Sequence, residues 1–396
     1  MGEKEINRES GAYLNALPLP NPFRFEDGHM VESQQDWEER LTEIQNLYET
    51  QMYGTYPSGE KISYTIEGEI MKVSVTENGV TETIDVKVTL PTKKVYEEAP
   101  VLFVYFGFFP EQLNYATERG YAVLAVNPYE IAKDAFPREG IFYRLHPYTE
   151  DPATQTGALA AWAWGFSKAM DALQAGAAKE LGLSSEQFIL TGVSRFGKST
   201  AVAGAFDSRI KVTAPSCSGA GGMALYRYVS EGRAYDFSKV GRPTDYTFQK
   251  NEPLSCLCSD SEGHWFNDRF RTFGDPGKLP LEQYMLSALC GRGGRYLFIS
   301  GSYCDEDWVN SPSMWMNYLA AKELFRFSGN EEKLAVCFHE TGHMVTMSDL
   351  AYLLDFCDCY LYRKEVSSDF SELRTGLYAL PQNRDAVYEA KLAFQR

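Results

Sequence analysis

The segment from residue 187 to residue 215 constrains the fold of this chain most strongly. It reads QFILTGVSRFGKSTAVAGAFDSRIKVTAP, which is an apolar β-type run, a turn, a helix-forming stretch and a second apolar run. This order predicts a β-α-β unit with two parallel strands. Ser194 lies where the first strand turns into the helix, which is the geometry of a nucleophile elbow. We therefore take Ser194 as the candidate nucleophile.

The turn itself supports two interpretations of Ser194. An elbow is too tight for bulky neighbours, and Gly192 and Gly197 supply small residues there. The sequence departs from the G-x-S-x-G pattern because Phe196 stands at the last glycine position. Serine is also a favoured N-cap residue, so Ser194 could instead simply cap the following helix. The turn alone leaves both interpretations open.

Two later segments offer an acid and a histidine. In hydrolases of this architecture they follow the serine in that order, each on a loop after a later strand. The β-type run GGRYLFISGS opens into YCDEDWVNSPS, and the run LAVCF leads into HETGHM. The chain has five histidines, so His343 at the expected place is the candidate general base. A buried structural histidine is the alternative.

The residues 339 to 343, HETGH, also match the H-E-x-x-H pattern of zinc proteases. That pattern requires a helix, which turns both histidines towards one metal ion. Here the motif follows a β-type run, and Gly342 disfavours a helix interior by about 1 kcal/mol relative to alanine. A turn that brings His343 towards the serine explains the glycine better, and we expect no metal and no organic cofactor.

Several motifs together resemble one known family. GVSRFGK, at 192 to 198, resembles the G-x-S-R-x-G-K box of the glucuronoyl esterases, carbohydrate esterase family 15. SGAGG at 218 to 222 resembles the glycine box that follows the next strand in that family. HWFNDRF from His264, LPLEQYMLSAL from Leu279, the acidic loop and the GHM histidine continue the similarity in the same order. The resemblance covers roughly residues 95 to 360.

The resemblance implies a serine esterase that cleaves esters of the (4-O-methyl-)glucuronic acid carboxyl group, as in glucuronoxylan and its links to lignin alcohols. It implies an acyl-enzyme on Ser194, with His343 as the general base. The resemblance also assigns roles to four further residues. Arg195 would stabilise the oxyanion through its backbone N–H and its guanidinium, and Lys198 would contact a sugar hydroxyl. Trp265 would pack against the uronate ring, and Glu252 would make a second sugar contact. The plainer alternatives are a surface arginine, a solvated lysine and a core tryptophan.

One position departs from the family. Many members have a glutamate as the catalytic acid just before the glycine box, where this chain has Cys217. A thiol has an ordinary pKa of about 8.5 and is a weak acceptor, so it does not stabilise an imidazolium as a carboxylate does. Other hydrolases of this fold place the acid on the loop after the following strand. This predicts Asp307 as the acid, with Asp305 in reserve.

The remaining sequence predicts an α/β-hydrolase with a mainly parallel, doubly wound sheet. Apolar strand-like runs at VLFVYFGF and YAVLAVNP precede the helical stretch ALAAWAWGFSKAMDALQAGAAKEL, and the loop at Gly107 is where a second oxyanion donor is expected. Residues 1–60 read as an N-terminal extension with one amphipathic helix, and residues 61–396 as one domain. That domain begins with antiparallel strands and contains, at 223–280, an insertion over the active face.

Charge and composition exclude several classes of partner. The net charge of −16 makes nucleic acid an unsuitable ligand and favours a small-molecule or oligosaccharide glucuronate ester over a heavily charged polymer. No apolar run approaches the roughly 18 residues that span a bilayer, so we expect no membrane partner. The cysteine pairs are spaced C-x-C, unlike structural zinc sites. With no secretory signal seen, we expect a cytoplasmic protein, or a secreted one if a signal preceded this sequence.

Three alternatives to the glucuronate esterase remain open at this point. They are an esterase for another carbohydrate ester, such as an acetyl ester, a zinc hydrolase built on HETGH, and an inactive carbohydrate-binding relative. Hydrolysis of methyl glucuronate compared with an acetylated sugar separates the first from our interpretation, because the two substrates place the ester on opposite sides of the saccharide.

Overall fold

The computed structural model describes residues 14–16, 19–230, 252, 254–302, 309–339, 341–368 and 370. Within these residues the chain forms a nine-stranded sheet and a separate two-stranded one. The large sheet consists of β2 (Lys61–Glu67), β3 (Ile70–Glu77), β4 (Val80–Thr89), β5 (Ala99–Tyr105), β6 (Ala122–Val126), β7 (Leu183–Val193), β8 (Ile210–Ser216), β10 (Tyr296–Ser302) and β11 (Leu334–His339). The small one pairs β1 (Leu14–Ala16) with β9 (Tyr228–Ser230) in antiparallel fashion.

The order of the large sheet is β2-β3-β4-β6-β5-β7-β8-β10-β11. All pairs from β6 to β11 are parallel, and the pairs among β2, β3, β4 and β6 are antiparallel. The chain therefore has the mainly parallel sheet with N-terminal antiparallel strands that the sequence predicts. The carboxyl ends of β5, β7, β8, β10 and β11 meet at one edge, where ligands of such sheets bind.

Eleven α-helices lie within the described residues: α1 (Gln34–Tyr48), α2 (Pro110–Glu118), α3 (Pro128–Ile131), α4 (Ile141–Leu145), α5 (Ala158–Ala172), α6 (Ala178–Leu181), α7 (Arg195–Phe206), α8 (Leu254–Leu257), α9 (Gln283–Gly291), α10 (Ser311–Phe327) and α11 (Met347–Tyr362). Single π-helical turns follow α1 at Glu49–Tyr53 and α5 at Leu173–Ala177. Short 3-10 turns are formed by Pro152–Thr154, Gly263–Trp265, Phe270–Thr272, Pro276–Lys278, Arg292–Gly294 and Glu331–Lys333.

Helices cover both faces of the sheet, as the side chains of β5 show. Val101 and Phe103 belong to a hydrophobic cluster that includes α1, α5, α7, α9 and α10, whereas Leu102 and Val104 belong to a second cluster with α2 and α11. Successive residues of a strand point to opposite faces, so the two clusters lie on opposite sides of β5. This continuous apolar character is typical of parallel strands buried on both faces. The doubly wound α/β architecture is confirmed.

The predicted N-terminal extension and insertion contribute to the same core. Helix α1 begins with a capping box between Ser33 and Asp36, and it buries Trp37 and Leu41 in the larger cluster. In the described part of the insertion, Phe266 is fully buried in that cluster too. Residues 231–251 lie outside the described residues. In the part of the chain that the structure describes, no helix is both long and apolar enough to cross a bilayer.

Candidate active site

The predicted strand-turn-helix around Ser194 forms between β7 and α7. Ser194 is the single residue between them, and its backbone has φ 61° and ψ −128°. A non-glycine residue in such a conformation is strained by roughly 1–3 kcal/mol and persists only where its surroundings hold it. Two hydrogen bonds do so: the Ser194 N–H donates to Ser216 O at 3.0 Å, and the Ser194 carbonyl accepts from the Lys198 N–H at 2.9 Å.

Close packing explains the glycines of the elbow and the phenylalanine in it. A Cβ atom on Gly192 would lie 2.7 Å from the Phe196 carbonyl, and one on Gly197 would lie 2.6 Å from the Ser216 carbonyl. Position 196 needs no glycine because its side chain leaves the turn. The ring of Phe196 stacks on Tyr105, with centroids 4.9 Å apart, and also packs on Trp162.

Ser194 occupies the N-cap position of α7 without capping the helix. Its side chain makes no hydrogen bond to the first turn, although that is the bond that favours serine at an N-cap. The side chain is half-buried, so the hydroxyl is held in a strained elbow with no structural bond to the helix. The arrangement suits a nucleophile better than a cap.

Arg195, the first residue of α7, enters a cluster built around Asp134. Its guanidinium donates to Asp134 Oδ2, and the other oxygen of Asp134 accepts from His264 Nε2 at 2.8 Å and from Trp265 Nε1 at 2.7 Å. The carbon at the centre of the guanidinium lies 5.3 Å from the Trp265 ring centroid, within the range of a cation–π contact. Arg195 and Trp265, both predicted to bind substrate, are therefore neighbours.

The environment of Asp134 stabilises its charged form. Burial raises the pKa of the carboxyl group, but the hydrogen bonds from His264, Trp265 and Arg195 outweigh burial and lower the pKa to about 2. Asp134 is therefore ionised at any pH at which the protein is expected to work. Asp134 lies in the loop between α3 and α4, and its contact with Arg195 links this loop to the elbow.

Lys198 points from the first turn of α7 into a closed polar site. Its ammonium donates to the carbonyls of Ser218 and Ala220, at 3.0 and 2.6 Å, and to Glu252 Oε2 at 2.6 Å. An ammonium has three N–H donors, and these acceptors use all three. Lys198 and Glu252, the two predicted sugar contacts, are thus neighbours. A sugar contact by Lys198 stays a prediction. It would require a sugar hydroxyl to replace one of these three acceptors.

Glu252 is in the opposite electrostatic situation to Asp134. Burial raises the pKa of its carboxyl group to about 7, although the ammonium of Lys198 acts against this shift. The charged side chains of the Lys198–Glu252 pair are only 4% and 3% exposed. The Lys198 ammonium lies 5.6 Å from the centroid of the Trp265 ring, so one indole contacts both cations.

His343 lies on a turn after β11 that His339 anchors. His339, the last residue of β11, has Nδ1 2.8 Å from Asp349 Oδ2 and Nε2 3.1 Å from the Gly342 carbonyl. Residues 341–344 form bends, so the two histidines of HETGH do not lie one turn apart on a helix as the zinc pattern requires. The described residues contain no group of three His, Cys, Asp or Glu side chains able to hold a metal ion.

A cavity of about 260 Å³ is lined by residues of the His343 turn and by Gly192, Val193 and Phe196 around the elbow, but not by Ser194 itself. It lies between the ends of β5 and β7, the loop after β5 and the turn after β11, and its lining includes Gly107, Phe109, Val193, Phe196 and His343. At its rim the side chain of Phe109 is 78% exposed. The N–H of Gly107 donates to Tyr105 O at 2.7 Å. A second oxyanion donor in this loop stays a prediction.

The position that differs from the family lies beside the histidine turn. The buried thiol of Cys217 is 3.9 Å from the carbonyl of Met344, the residue after His343. Asp307 and its reserve, Asp305, lie outside the described residues. Strand β10, which precedes them in the sequence, ends next to the His343 turn, because the hydroxyl of its last residue, Ser302, donates to the Thr341 carbonyl.

No role is predicted from the sequence for Asp134 or for its neighbour His264. Asp134 belongs to no motif, and 59 residues separate it from Ser194 in the sequence. His264 opens a motif of the resembling family, but only the folded chain brings it to Asp134. A carboxylate in a loop after an apolar run carries no signal by itself that would have identified this contact.

Comparisons with known proteins identify the family. Residues 73–329, more than half of the chain, match the family model described as glucuronyl esterase, fungi. A solved glucuronoyl esterase of carbohydrate esterase family 15 from Caldicellulosiruptor kristjansonii superimposes with a TM-score of 0.81. It is 34% identical, and the match covers 93% of this chain and 96% of that one. This likeness confirms the α/β-hydrolase fold.

Two relatives of known name extend the comparison. A multidomain esterase of Ruminococcus flavefaciens is 42% identical over 379 residues, which are 93% of this chain but 49% of that protein. The chain thus spans about half the length of that relative. A 4-O-methyl-glucuronoyl methylesterase of Schizophyllum commune is 28% identical, over 91% of this chain and 86% of that protein. The family resemblance of the motifs is thereby confirmed: the chain belongs to the glucuronoyl esterases, carbohydrate esterase family 15.

Proposed function

We propose that this chain is a serine esterase that hydrolyses carboxyl esters of glucuronic acid or its 4-O-methyl ether. The observation that carries the proposal is Ser194 itself, strained at the elbow with a hydroxyl that caps nothing. The names of the relatives support the acyl group, since they include glucuronoyl esterases and a 4-O-methyl-glucuronoyl methylesterase.

The first half of the reaction makes an acyl-enzyme. The Ser194 Oγ attacks the ester carbonyl carbon while His343 takes its proton, and the carbonyl oxygen becomes an oxyanion. Arg195 is the first residue of α7, so its backbone N–H has no acceptor within the helix and is available to the oxyanion. Collapse of the intermediate breaks the bond to the alcohol oxygen, which receives the proton from His343.

The second half releases the uronate. Water attacks the Ser194 ester with His343 as its base, and the bond to Ser194 Oγ breaks as His343 returns the proton. The glucuronate leaves with a free carboxylate. Arg195 directly follows Ser194 in the chain, and its guanidinium contacts Trp265. We assign its positive charge to the stabilisation of the oxyanion and of this product.

Asp307 remains our candidate for the acid that stabilises the imidazolium. The start of its loop is tied to the histidine turn through Ser302 and Thr341, and Cys217 near that turn carries no carboxylate. Asp307→Asn is expected to lower kcat by about 10⁴-fold with little change in substrate binding. A glutamate placed at 217 in the Asp307→Asn protein should recover part of that loss, and Cys217→Ser alone should change little. If Asp305→Asn, and not Asp307→Asn, removes activity, the acid is Asp305.

The substrate itself gives the test of the proposal. Methyl glucuronate and an acetylated glucose are offered to the parent enzyme and to Ser194→Ala. The parent should hydrolyse the glucuronate ester in preference, and Ser194→Ala should retain less than about a thousandth of that rate. Hydrolysis of the acetylated sugar alone would contradict the substrate, and survival of more than about a tenth of the rate would contradict the nucleophile. Stoichiometric zinc with chelator-sensitive activity would favour the HETGH alternative.

The cytoplasmic location and the absence of nucleic-acid and membrane partners stay predictions. The cysteines that the structure describes form no disulfide bond with one another, which agrees with a reducing compartment.

A further inference from the structure

The guanidinium of Arg195 needs a means of orientation that the helix does not provide. Its side chain is 41% exposed, and a long arginine side chain at a helix start samples many rotamers when nothing restrains it. Among the described residues, the hydrogen bond recorded for the guanidinium is the one to Asp134. The carboxylate of Asp134 is only 13% exposed, so the more buried partner of this pair can hold the more exposed guanidinium in place.

The two oxygens of Asp134 have different partners. One accepts from Arg195, and the other from both His264 and Trp265. We propose that Asp134 is a positioning residue of the esterase, which aligns the Arg195 guanidinium and the Trp265 indole as one unit. The inference rests on the proposed function, because it assumes that these two side chains meet the oxyanion and the uronate ring. Asp134 itself does not touch the substrate in this account.

The chemistry of the contacts explains why a carboxylate is required. Arg195, His264 and Trp265 all donate hydrogen bonds to Asp134, and a carboxylate offers acceptors only. An amide in its place has one acceptor oxygen and one NH2 group, so the NH2 must face either the guanidinium or the two ring N–H groups. Either orientation sets donor against donor. The low pKa of Asp134 agrees with this, because the site keeps the charged, acceptor-only form down to a pH of about 2.

This role predicts that Asp134 acts through Arg195. Asp134→Asn should lower kcat/KM for methyl glucuronate by about 10- to 100-fold in the parent. When Arg195 is already alanine, the loss should be less than about threefold, which is the part that Asp134 exerts through Trp265. An aryl acetate develops the same oxyanion but has no sugar ring. The loss of kcat/KM that Asp134→Asn causes on aryl acetate should therefore reflect Arg195 alone, and it should be smaller than the loss on methyl glucuronate.

The loop that carries Asp134 offers a matched control. Glu139 forms an exposed ion pair with Lys133 at 3.3 Å, and neither belongs to the proposed machinery. Glu139→Gln makes the same carboxylate-to-amide change and should leave both substrates unaffected. If Asp134→Asn does not fold, Asp134→Glu replaces it, since glutamate keeps the acceptors but displaces them by about one methylene.

The experiment is a double-mutant cycle of Asp134→Asn and Arg195→Ala on both substrates, with thermal unfolding of each protein. Equal fold-losses from Asp134→Asn with and without Arg195, or a parental rate in Asp134→Asn, would overturn the positioning role. A parent that hydrolyses aryl acetate but not methyl glucuronate would instead contradict the proposed function. The cycle on aryl acetate would then still decide whether Asp134 orients Arg195.

Discussion

One tryptophan ring has two cations beside it, and the two are held in different ways. Arg195 is two-fifths exposed and is bound by Asp134, whose pKa is lowered to about 2. Lys198 is buried, with all its donors committed, and its partner Glu252 has a pKa raised to about 7. Burial raises the pKa of both carboxyl groups. Three side-chain donors outweigh this effect at Asp134, whereas Glu252 is more deeply buried and has one cation, Lys198, acting against it.

The difference separates two roles within the same motif. The Arg195 guanidinium keeps donors available beside the elbow, so it can respond to charge that develops on a substrate. Lys198 binds carbonyls of the glycine-rich segment 218–222, which ties α7 to the chain after β8. We therefore expect substitutions of Arg195 to change chemistry and substitutions of Lys198 to change stability as well as binding.

In this comparison, the largest expected effect on catalysis is that of Arg195→Ala. Removing one oxyanion donor costs about 10²–10³ in kcat in other serine hydrolases, and here the backbone N–H of residue 195 remains. The loss should therefore lie near 10²-fold in kcat, with KM changed less and the unfolding temperature nearly unchanged. Steady-state kinetics and thermal unfolding on the same preparation measure both. A large loss of stability with parental kcat would reverse the roles that we assign.

Lys198→Met should show the reverse pattern. It leaves the Glu252 carboxyl group buried without its cation, which costs about 3–5 kcal/mol of unfolding free energy where the group is charged. The loss should be greater at pH 8 than at pH 5, because the isolated carboxyl group binds a proton at the lower pH. Urea unfolding at the two pH values tests this. A pH-independent loss would mean that the carbonyl contacts of Lys198, and not the ion pair, carry its contribution.

Glu252→Gln isolates the titration of the acid partner. Because the folded pKa of about 7 exceeds the ordinary value of 4.5, the folded protein binds more protons than the unfolded chain between these pH values. Glu252 therefore makes the protein less stable as pH rises from about 4.5 to 7, and glutamine removes this slope. We expect a flatter stability profile for the variant over that window. Parallel profiles for parent and variant would show that Glu252 does not titrate there.

The smallest effect should come from Trp265→Phe. Phenylalanine keeps an aromatic ring near both cations but removes the N–H that donates to Asp134. His264 and Arg195 still hold that carboxylate, so we expect a rise in KM for methyl glucuronate of about fivefold or less, near 1 kcal/mol. Aryl acetate serves as the control substrate without a sugar ring. A loss as large as that of Arg195→Ala would place the indole N–H, and not the guanidinium, at the centre of this cluster.

Local patterns predicted the parts of the site that local geometry determines. The elbow at Ser194, the strand before His343 and the antiparallel N-terminal strands follow from apolar runs, turns and alternation. The contacts of Asp134 do not, because that residue belongs to no motif and meets its partners only through the packing of three separate segments. The hydrogen-bond partners of Lys198 could not be predicted from the sequence either, since two of them are backbone carbonyls that any residue could supply.

Labelling with a fluorophosphonate tests the central claim most directly. Such a reagent forms a stable bond with a serine whose hydroxyl is activated as a nucleophile. Mass spectrometry of peptides from the treated parent should show one modified residue, Ser194, and loss of hydrolysis of methyl glucuronate in step with it. Glucuronic acid should slow the labelling, glucose should not, and Ser194→Ala should stay unlabelled. An unmodified Ser194 in inactivated enzyme, or full activity with Ser194 modified, would contradict the account.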